Sequence, residues 1–245
     1  MGELIAVLSG KGGTGKTSVC AGMATAMAAM GEKVLCIDCD IGLRNLDISL
    51  GLTDSAPLSF LEVCSGEYTL SQAMQHPKFP GLSFLTAPVN CKAEDIDGDA
   101  FGAMLNQARK EFKYVFLDAP AGVDAGFRLC AQYADRVILV TGADPASVRD
   151  AARAGEMLEL MGKHNVRLVV NRVNEKMYHT IKITVDDVMD KAGLPLLGIV
   201  PEDANVVLAA SFEKPLLLYT KKGAAAACRR IAKRIQGLSV TIPLR

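Results

Sequence analysis

Eight residues near the start of the chain, Gly10-Lys11-Gly12-Gly13-Thr14-Gly15-Lys16-Thr17, constrain its fold more than any other stretch. They fit the pattern G-x-x-x-x-G-K-[ST]. Before them the apolar run from Leu4 to Leu8 reads as a buried strand, and after them Ser18 to Met30 reads as a helix. Glycines at 10, 12, 13 and 15 let the backbone close around a polyphosphate with its amides pointing inward, while the helix turns its positive end to the anion. Lys16 then supplies a mobile charge for β- and γ-phosphates, and the Thr17 hydroxyl suits Mg²⁺. The expected cofactors are ATP and Mg²⁺, held by Gly10 to Thr17 and by Ser18 at the helix start.

Two further strand ends point to the same edge of a sheet. Lys33 to Ile37 reads as a strand that ends in Asp38-Cys39-Asp40, and Lys113 to Leu117 as one that ends in Asp118-Ala119-Pro120-Ala121-Gly122. Carboxylates at the carboxyl ends of parallel strands lie where open α/β sheets bind ligands, so Asp38 and Asp118 join Thr17 as candidate metal residues and Asp40 as the residue for attacking water. Helix-capping acids and a plain strand-ending turn would carry the same residues.

Strands and helices alternate along the rest of the chain. Arg136 to Val140, Val166 to Val170 and Leu196 to Val200 read as strands, Leu82 to Leu85 as a short one. Pro57 to Cys64, Leu70 to Gln75, Ala100 to Phe112 and Ala146 to Met161 read as helices. This implies an α/β fold: one P-loop NTPase domain with a mostly parallel, twisted sheet, helices on both faces and right-handed crossovers. No repeat or linker divides residues 1–220.

Length and composition allow this reading and exclude others. Of 245 residues half are hydrophobic, enough for a sizeable core. Lys plus Arg and Asp plus Glu balance at 27 each and there is no Trp, so a nucleic-acid partner is not expected. No apolar run reaches the roughly 20 residues of a membrane span, and Ala6 stands where a myristoylation motif wants Ser or Thr, so a cytoplasmic location is expected. Seven cysteines, at 20, 36, 39, 64, 91, 130 and 228, argue against a disulfide framework. Cys36 and Cys39 have C-x-x-C spacing without a second pair, which fits buried core thiols better than a metal or redox site.

Lys11, at the start of the loop, marks a subclass. Lys-Gly-Gly-Thr-Gly-Lys-Thr resembles the deviant Walker A motif of the ParA/MinD family of ATPases, in which the early lysine reaches across a dimer to the partner's nucleotide. Asp40-Ile41-Gly42-Leu43-Arg44-Asn45-Leu46-Asp47 is similar to that family's first switch, and Asp118 to Gly122 to its D-x-P-A-G switch. The resemblance implies that Asp40 orients the hydrolytic water, that Asn45 supports the active dimer, and that Lys11 and Lys16 are catalytic. It also implies that Asn171-Arg172 and Pro201-Glu202-Asp203 flank the adenine, and that Ser147-Val148-Arg149-Asp150 lies at the dimer and partner surface. The nitrogenase iron protein shares this style of loop, but Asp118 to Arg128 has no cysteine beside the acidic turn.

The segment 221–245 leaves two readings. Lys221 to Gln236 is a basic amphipathic helix, with Cys228, Ile231, Ile235 and Leu238 on one side and Arg229, Arg230, Lys233 and Arg234 on the other. It resembles the membrane-targeting terminus of the family, which would place the protein on the inner face of the cell membrane. It equally fits a helix packed on the ATPase body, and Ser239 to Arg245 continues as a β-like tail. The resemblance as a whole implies an ATP-driven homodimer that works as a spatial regulator of division-site selection, with activator or effector proteins as partners. A DNA-partition ATPase, a nucleotide-gated polar or flagellar placement scaffold, and a metabolic ligase are the alternatives.

Overall fold

The computed structural model describes residues 1–89, 91–174 and 184–242. Its strands are β1 (Glu3–Leu8), β2 (Val34–Asp38), β3 (Met74–Gln75), β4 (Leu82–Leu85), β5 (Tyr114–Asp118), β6 (Arg136–Thr141), β7 (Val166–Val173) and β8 (Leu196–Pro201). They form one sheet in the order β3-β4-β2-β5-β1-β6-β7-β8. Every pairing among the described residues is parallel except β3 with β4. Strands that are apolar throughout, rather than alternating, require cover on both faces, and helices supply it. These are α1 (Lys16–Ala29), α2 (Leu46–Leu50), α3 (Phe60–Cys64), α4 (Gly98–Glu111), α5 (Ala125–Tyr133), α6 (Pro145–Leu160), α7 (Val185–Ala192), α8 (Ala204–Ser211), α9 (Leu216–Tyr219) and α10 (Gly223–Ile235).

Strand periodicity splits the core in two. Leu4, Ala6 and Leu8 of β1 face Phe60, Phe101, Phe127 and Val148 from α3 to α6. Ile5 and Val7 face Met23 of α1 and Cys228 and Ile231 of α10. Cys36 and Cys39 fall on opposite faces by the same alternation, so they share no ligand site. All seven thiols are free.

Three expected helices begin or end elsewhere, for local reasons. α1 starts at Lys16, not Ser18, because the last residues of the loop already form its first turn. α3 starts at Phe60 instead of Pro57: Ser59 and Glu62 form a capping box there, while the Leu58 carbonyl accepts from the Thr86 amide. Leu70 to Gln75 is not a helix. A single 3₁₀ turn at Leu70–Gln72 is followed by β3, which occupies the otherwise open edge of β4. The helices α2, α5 and α7 were not expected from the sequence pattern.

The tail joins the body. The buried side of α10 carries Ala224, Ala225, Ala227, Cys228, Ile231, Ala232 and Ile235, packed on α1 and β8. Burial of the two isoleucines alone is worth about 3–6 kcal/mol of transfer free energy. Cys228 Sγ fills the space that a Cβ at Gly22 of α1 would need. In its last turn, Arg234 Nη1 donates to Leu197 O (2.8 Å) and Arg234 Nε to Val240 O (2.8 Å). The face proposed for membrane contact is therefore already occupied within the chain, save for the exposed Leu238. Residues 239–242 form no strand, and 243–245 lie outside the described residues. No helix among the described residues is long and apolar enough to cross a membrane.

Candidate functional site

β1 sits between β5 and β6, while the chain leaves β1 for β2 on the far side of β5. The crevice at such a reversal, outside the carboxyl ends of the strands, is where the fold can take a ligand. Here it receives the loop after β1, the end of β2 at Asp38 and the end of β5 at Asp118, which are register partners.

Gly15 opens α1 in the left-handed region (φ 81), and a Cβ on it would collide with the Asn171 amide. Whereas Ser59, Asp97, Asp144, Thr184 and Asp203 cap α3, α4, α6, α7 and α8 with their side chains, nothing caps α1. Its first amides are left for an anion. They face a cavity of about 330 Å³ walled by Gly12 to Ser18 on one side and Asp40, Leu43, Asn45 and Ile48 on the other. Gly10 sits just outside that lining, pressed against the Asp150 backbone.

Lys16 is folded back. Its Nζ donates to Asp118 Oδ1 at 2.6 Å and to Thr17 Oγ1 at 3.4 Å, and both members of the ion pair are almost fully buried. Burial alone would lower the Lys16 ammonium, but the Asp118 charge and hydrogen bond reverse this and its pKa lies above the ordinary lysine value. Asp38 accepts from the Asp40 amide (2.9 Å) and the Leu46 amide (3.1 Å), so one carboxylate pins both ends of the loop 40–46. Burial, and then the Asp118 charge, push Asp38 up to about 7. Asp40 is also raised, mainly by burial, with Lys16 opposing. Asn45 is exposed at the start of α2 and its side chain caps nothing.

The loop and the oxygen donors suit Mg²⁺. Asp118 Oδ2 and Thr14 Oγ1 are buried with no hydrogen-bond partner among the described residues, beside the Thr17 hydroxyl. Among those residues no group of three or more His, Cys, Asp and Glu could cage a metal. That matches an ion taken up through one or two protein oxygens, with phosphate and water as the remaining ligands.

Lys11 stands outside this cavity lining. Its Nζ donates to Asp144 Oδ1 at 3.3 Å, and Asp144 also caps α6 through Ser147 N (3.0 Å) and Ser147 Oγ. Bonds from Ser147 and Lys11 outweigh partial burial and hold the Asp144 carboxyl below its usual range. Of the expected surface residues on α6, Ser147 and Val148 are buried and only Arg149 is fully exposed. The Asp144–Lys11 contact had one signal in the sequence, the Asp-Pro start of α6, but nothing local connected it to residue 11.

A second cavity, of about 460 Å³, adjoins the first through Gly15, Ser18 and Arg172. It gathers Asn171, Arg172, Pro201, Glu202 and Asp203, all expected at the base, together with Val206, Leu216, Ala224 and Cys228. Asn171 is buried and its Nδ2 donates to Thr14 O at 2.8 Å, so this amide braces the phosphate loop. Arg172 follows with φ 56, at a register shift between β7 and β8, which turns it to the seam between the cavities. Glu202 Oε2 accepts from Asn174 (2.8 Å) and Asp203 caps α8.

Comparison with known proteins agrees with this geometry. Residues 5–216 match the CobQ/CobB/MinD/ParA nucleotide binding domain. The chain is 35% identical over 243 residues to the septum site-determining protein MinD of Synechocystis, covering 98% of this chain and 91% of that protein. Its fold is similar to the chain in the MinC:MinD cell division protein complex of Aquifex aeolicus, with TM-score 0.90, 33% identity and 98% of each chain covered. It is also similar to the MinD of Pyrococcus horikoshii complexed with Mg-ADP, with TM-score 0.83, 25% identity and 96% of each chain covered.

Proposed function

Since the chain belongs to the CobQ/CobB/MinD/ParA nucleotide-binding family, we propose that it is a Mg²⁺-dependent ATPase regulating the position of the division site. ATP joins two copies and hydrolysis releases them. The observation that carries this reading is the uncapped start of α1, ringed by the glycine loop and facing Asp40 and Asn45 across one cavity.

Each residue then has a task. The loop amides and the first turn of α1 bind phosphate oxygens. Lys16 moves from Asp118 onto the β- and γ-phosphates; Asp118, Asp38 and the Thr17 hydroxyl would hold Mg²⁺, which would supply neutralisation of phosphate charge. Asp40 orients a water whose oxygen attacks the γ-phosphorus. The bond to the ADP oxygen breaks, and inorganic phosphate carries the water's oxygen away. Lys11 exchanges Asp144 for the nucleotide of the second copy, where it stabilises charge in the transition state. Loss of the γ-phosphate removes the nucleotide's hold on the 40–46 loop, whose two ends stay tied to Asp38.

Leu43 and Ile48, exposed at the rim of the phosphate cavity, support closure by a second copy. The similarity to the chain in the MinC:MinD complex of Aquifex aeolicus supports a division-system effector as partner. The buried apolar face of α10 supports a cytoplasmic protein recruited by partners in this state, rather than one held by that helix in a bilayer. Phosphate release from Mg-ATP tests the reading: the wild type turns over slowly, and Lys11→Ala and Asp40→Ala lose turnover. Undiminished release in both variants would contradict it.

A further inference from the structure

One carboxylate in the base cavity holds the starts of two helices. Asp203 Oδ1 accepts from the Asn205 amide (2.9 Å) and from Asn205 Nδ2 (2.7 Å), which caps α8. Asp203 Oδ2 accepts from the Ala224 amide at 2.9 Å, across 21 residues of sequence, at the first turn of α10. The residue in the capping position of α10 itself, Lys222, supplies no side-chain cap. The approach is close enough that a Cβ at Gly223 (φ 54) would collide with the Asp203 carboxylate. Burial would raise this acid, and the hydrogen bonds from Ala224 and Asn205 instead hold it low.

The two ends of α10 are thus anchored differently. Its far half is fixed to the sheet by Ile231 and Ile235 and by Arg136 Nη1 donating to Ile235 O (3.0 Å). Its near half is held by Ala224, Ala225, Ala227 and Cys228 packed on α1 and by the Asp203 cap, and through Ala224 and Cys228 it forms part of the wall of the base cavity. We propose that Asp203 couples occupancy of the base cavity to the order of the first two turns of α10, so that a bound nucleotide stiffens the start of the basic tail helix and its loss loosens it. This rests on the reading that the nucleotide base enters the cavity lined by Pro201 to Asp203.

The coupling follows from linkage. Opening the first turn of α10 removes a wall of the cavity and frees the loop that carries Asp203, so the opened form loses the site. A nucleotide that binds only the closed form then slows amide exchange in that turn, by about a hundredfold at 100 times Kd. That factor is set by the nucleotide concentration over Kd, so it is the same for a helix start made more stable by another cap.

The test is hydrogen exchange of the full chain with and without saturating Mg-ADP, resolved over Ala224 to Cys228 and over Ile231 to Ile235. Expected is strong added protection over 224–228 and little over 231–235. In Asp203→Ala, at Mg-ADP saturating for that variant, the added protection over 224–228 disappears, and Asp203→Asn, which keeps a carbonyl acceptor, recovers part of it. Lys222→Ser changes only an exposed side chain and gives α10 its own cap. It should slow exchange at 224–226 without nucleotide by about fivefold, the scale of a helix cap, and leave the nucleotide-dependent factor unchanged. If Mg-ADP protects residues 10–18 and 201–206 but leaves 224–228 unchanged, the coupling is wrong while the base site stands. If it protects 10–18 alone, the base reading fails and takes the coupling with it.

Discussion

The two cavities of the site are held by different forces. Around the phosphates the walls come largely from two contiguous stretches, and charge governs them: a buried Lys16–Asp118 pair, an Asp38 carboxyl that burial pushes up to about 7, and an uncapped helix. Around the base the walls come from α1, the end of β7, the loop after β8, and α8 to α10, and packing and helix caps govern them. In the first, the lysine proposed for phosphate sits on the carboxylate proposed for the metal. The second is nearly complete as it stands. On the proposed reading, the difference means that nucleotide binding rearranges charge at one end and tightens packing at the other.

The largest effect should come from breaking the charged end. Lys16→Ala leaves Asp118 buried without its partner, so thermal or urea unfolding without nucleotide should show a loss of about 3–5 kcal/mol. Pairing it with Asp118→Asn should recover most of that, while phosphate release stays at least about 100-fold down in both. Asp40→Ala should cut turnover by about 10²–10⁴ with Mg-ADP affinity close to that of the wild type, read by phosphate release and calorimetry. An equal loss in both quantities would mean that Asp40 binds rather than orients water.

Asn171→Ala strikes the seam. The Thr14 carbonyl loses its buried donor, at a cost of about 1–3 kcal/mol, and the loop loosens. Nucleotide affinity should fall about tenfold with little change in turnover at saturation. A fall specific to adenine nucleotides, absent with inorganic tripolyphosphate, would show instead that Asn171 reads the base.

Asp38 sharpens the comparison through pH. Its carboxyl ionises near the ordinary 3.8 when unfolded and at about 7 when folded, so between these values the folded chain holds the extra proton. Stability from this group is full below about pH 4 and is lost as pH rises through 7. Asp38→Asn cannot ionise. It should cost about 1–3 kcal/mol at pH 5, because its Nδ2 cannot accept from the backbone amide that it faces. Relative to the wild type it should then gain on the order of 2 kcal/mol between pH 5 and 8, followed by unfolding in the absence of nucleotide. A pH-independent difference would remove the charge account of this end. The smallest effect on stability belongs to Lys11→Ala, whose exposed pair with Asp144 contributes about 0.2–1 kcal/mol at most.

The same contrast explains what was legible in the sequence. A strand, a glycine loop and a helix in one run can be read from residues 4–30, and the apolar strands placed Asp38 and Asp118 at one edge. The Lys16–Asp118 pair was not legible, since the motif describes the loaded loop and not where its lysine rests without phosphate. The base end appeared only as fragments. That Asn171 braces Thr14, or that Asp203 caps a helix 21 residues away, depends on strand order, which a linear reading does not contain. The tail was left between two readings because its basic amphipathic pattern fits a bilayer and a protein groove alike; in the structure its apolar side packs on the body, with Cys228 seated against Gly22.

The central claim is that ATP, seated in these cavities, joins two copies of the chain. Light scattering of Asp40→Ala with Mg-ATP tests it most directly, since this variant binds nucleotide and cannot consume it. The account predicts twice the mass of the chain with Mg-ATP, a single chain with Mg-ADP, and a single chain for Lys16→Ala with either. A single chain for Asp40→Ala at saturating Mg-ATP would contradict it.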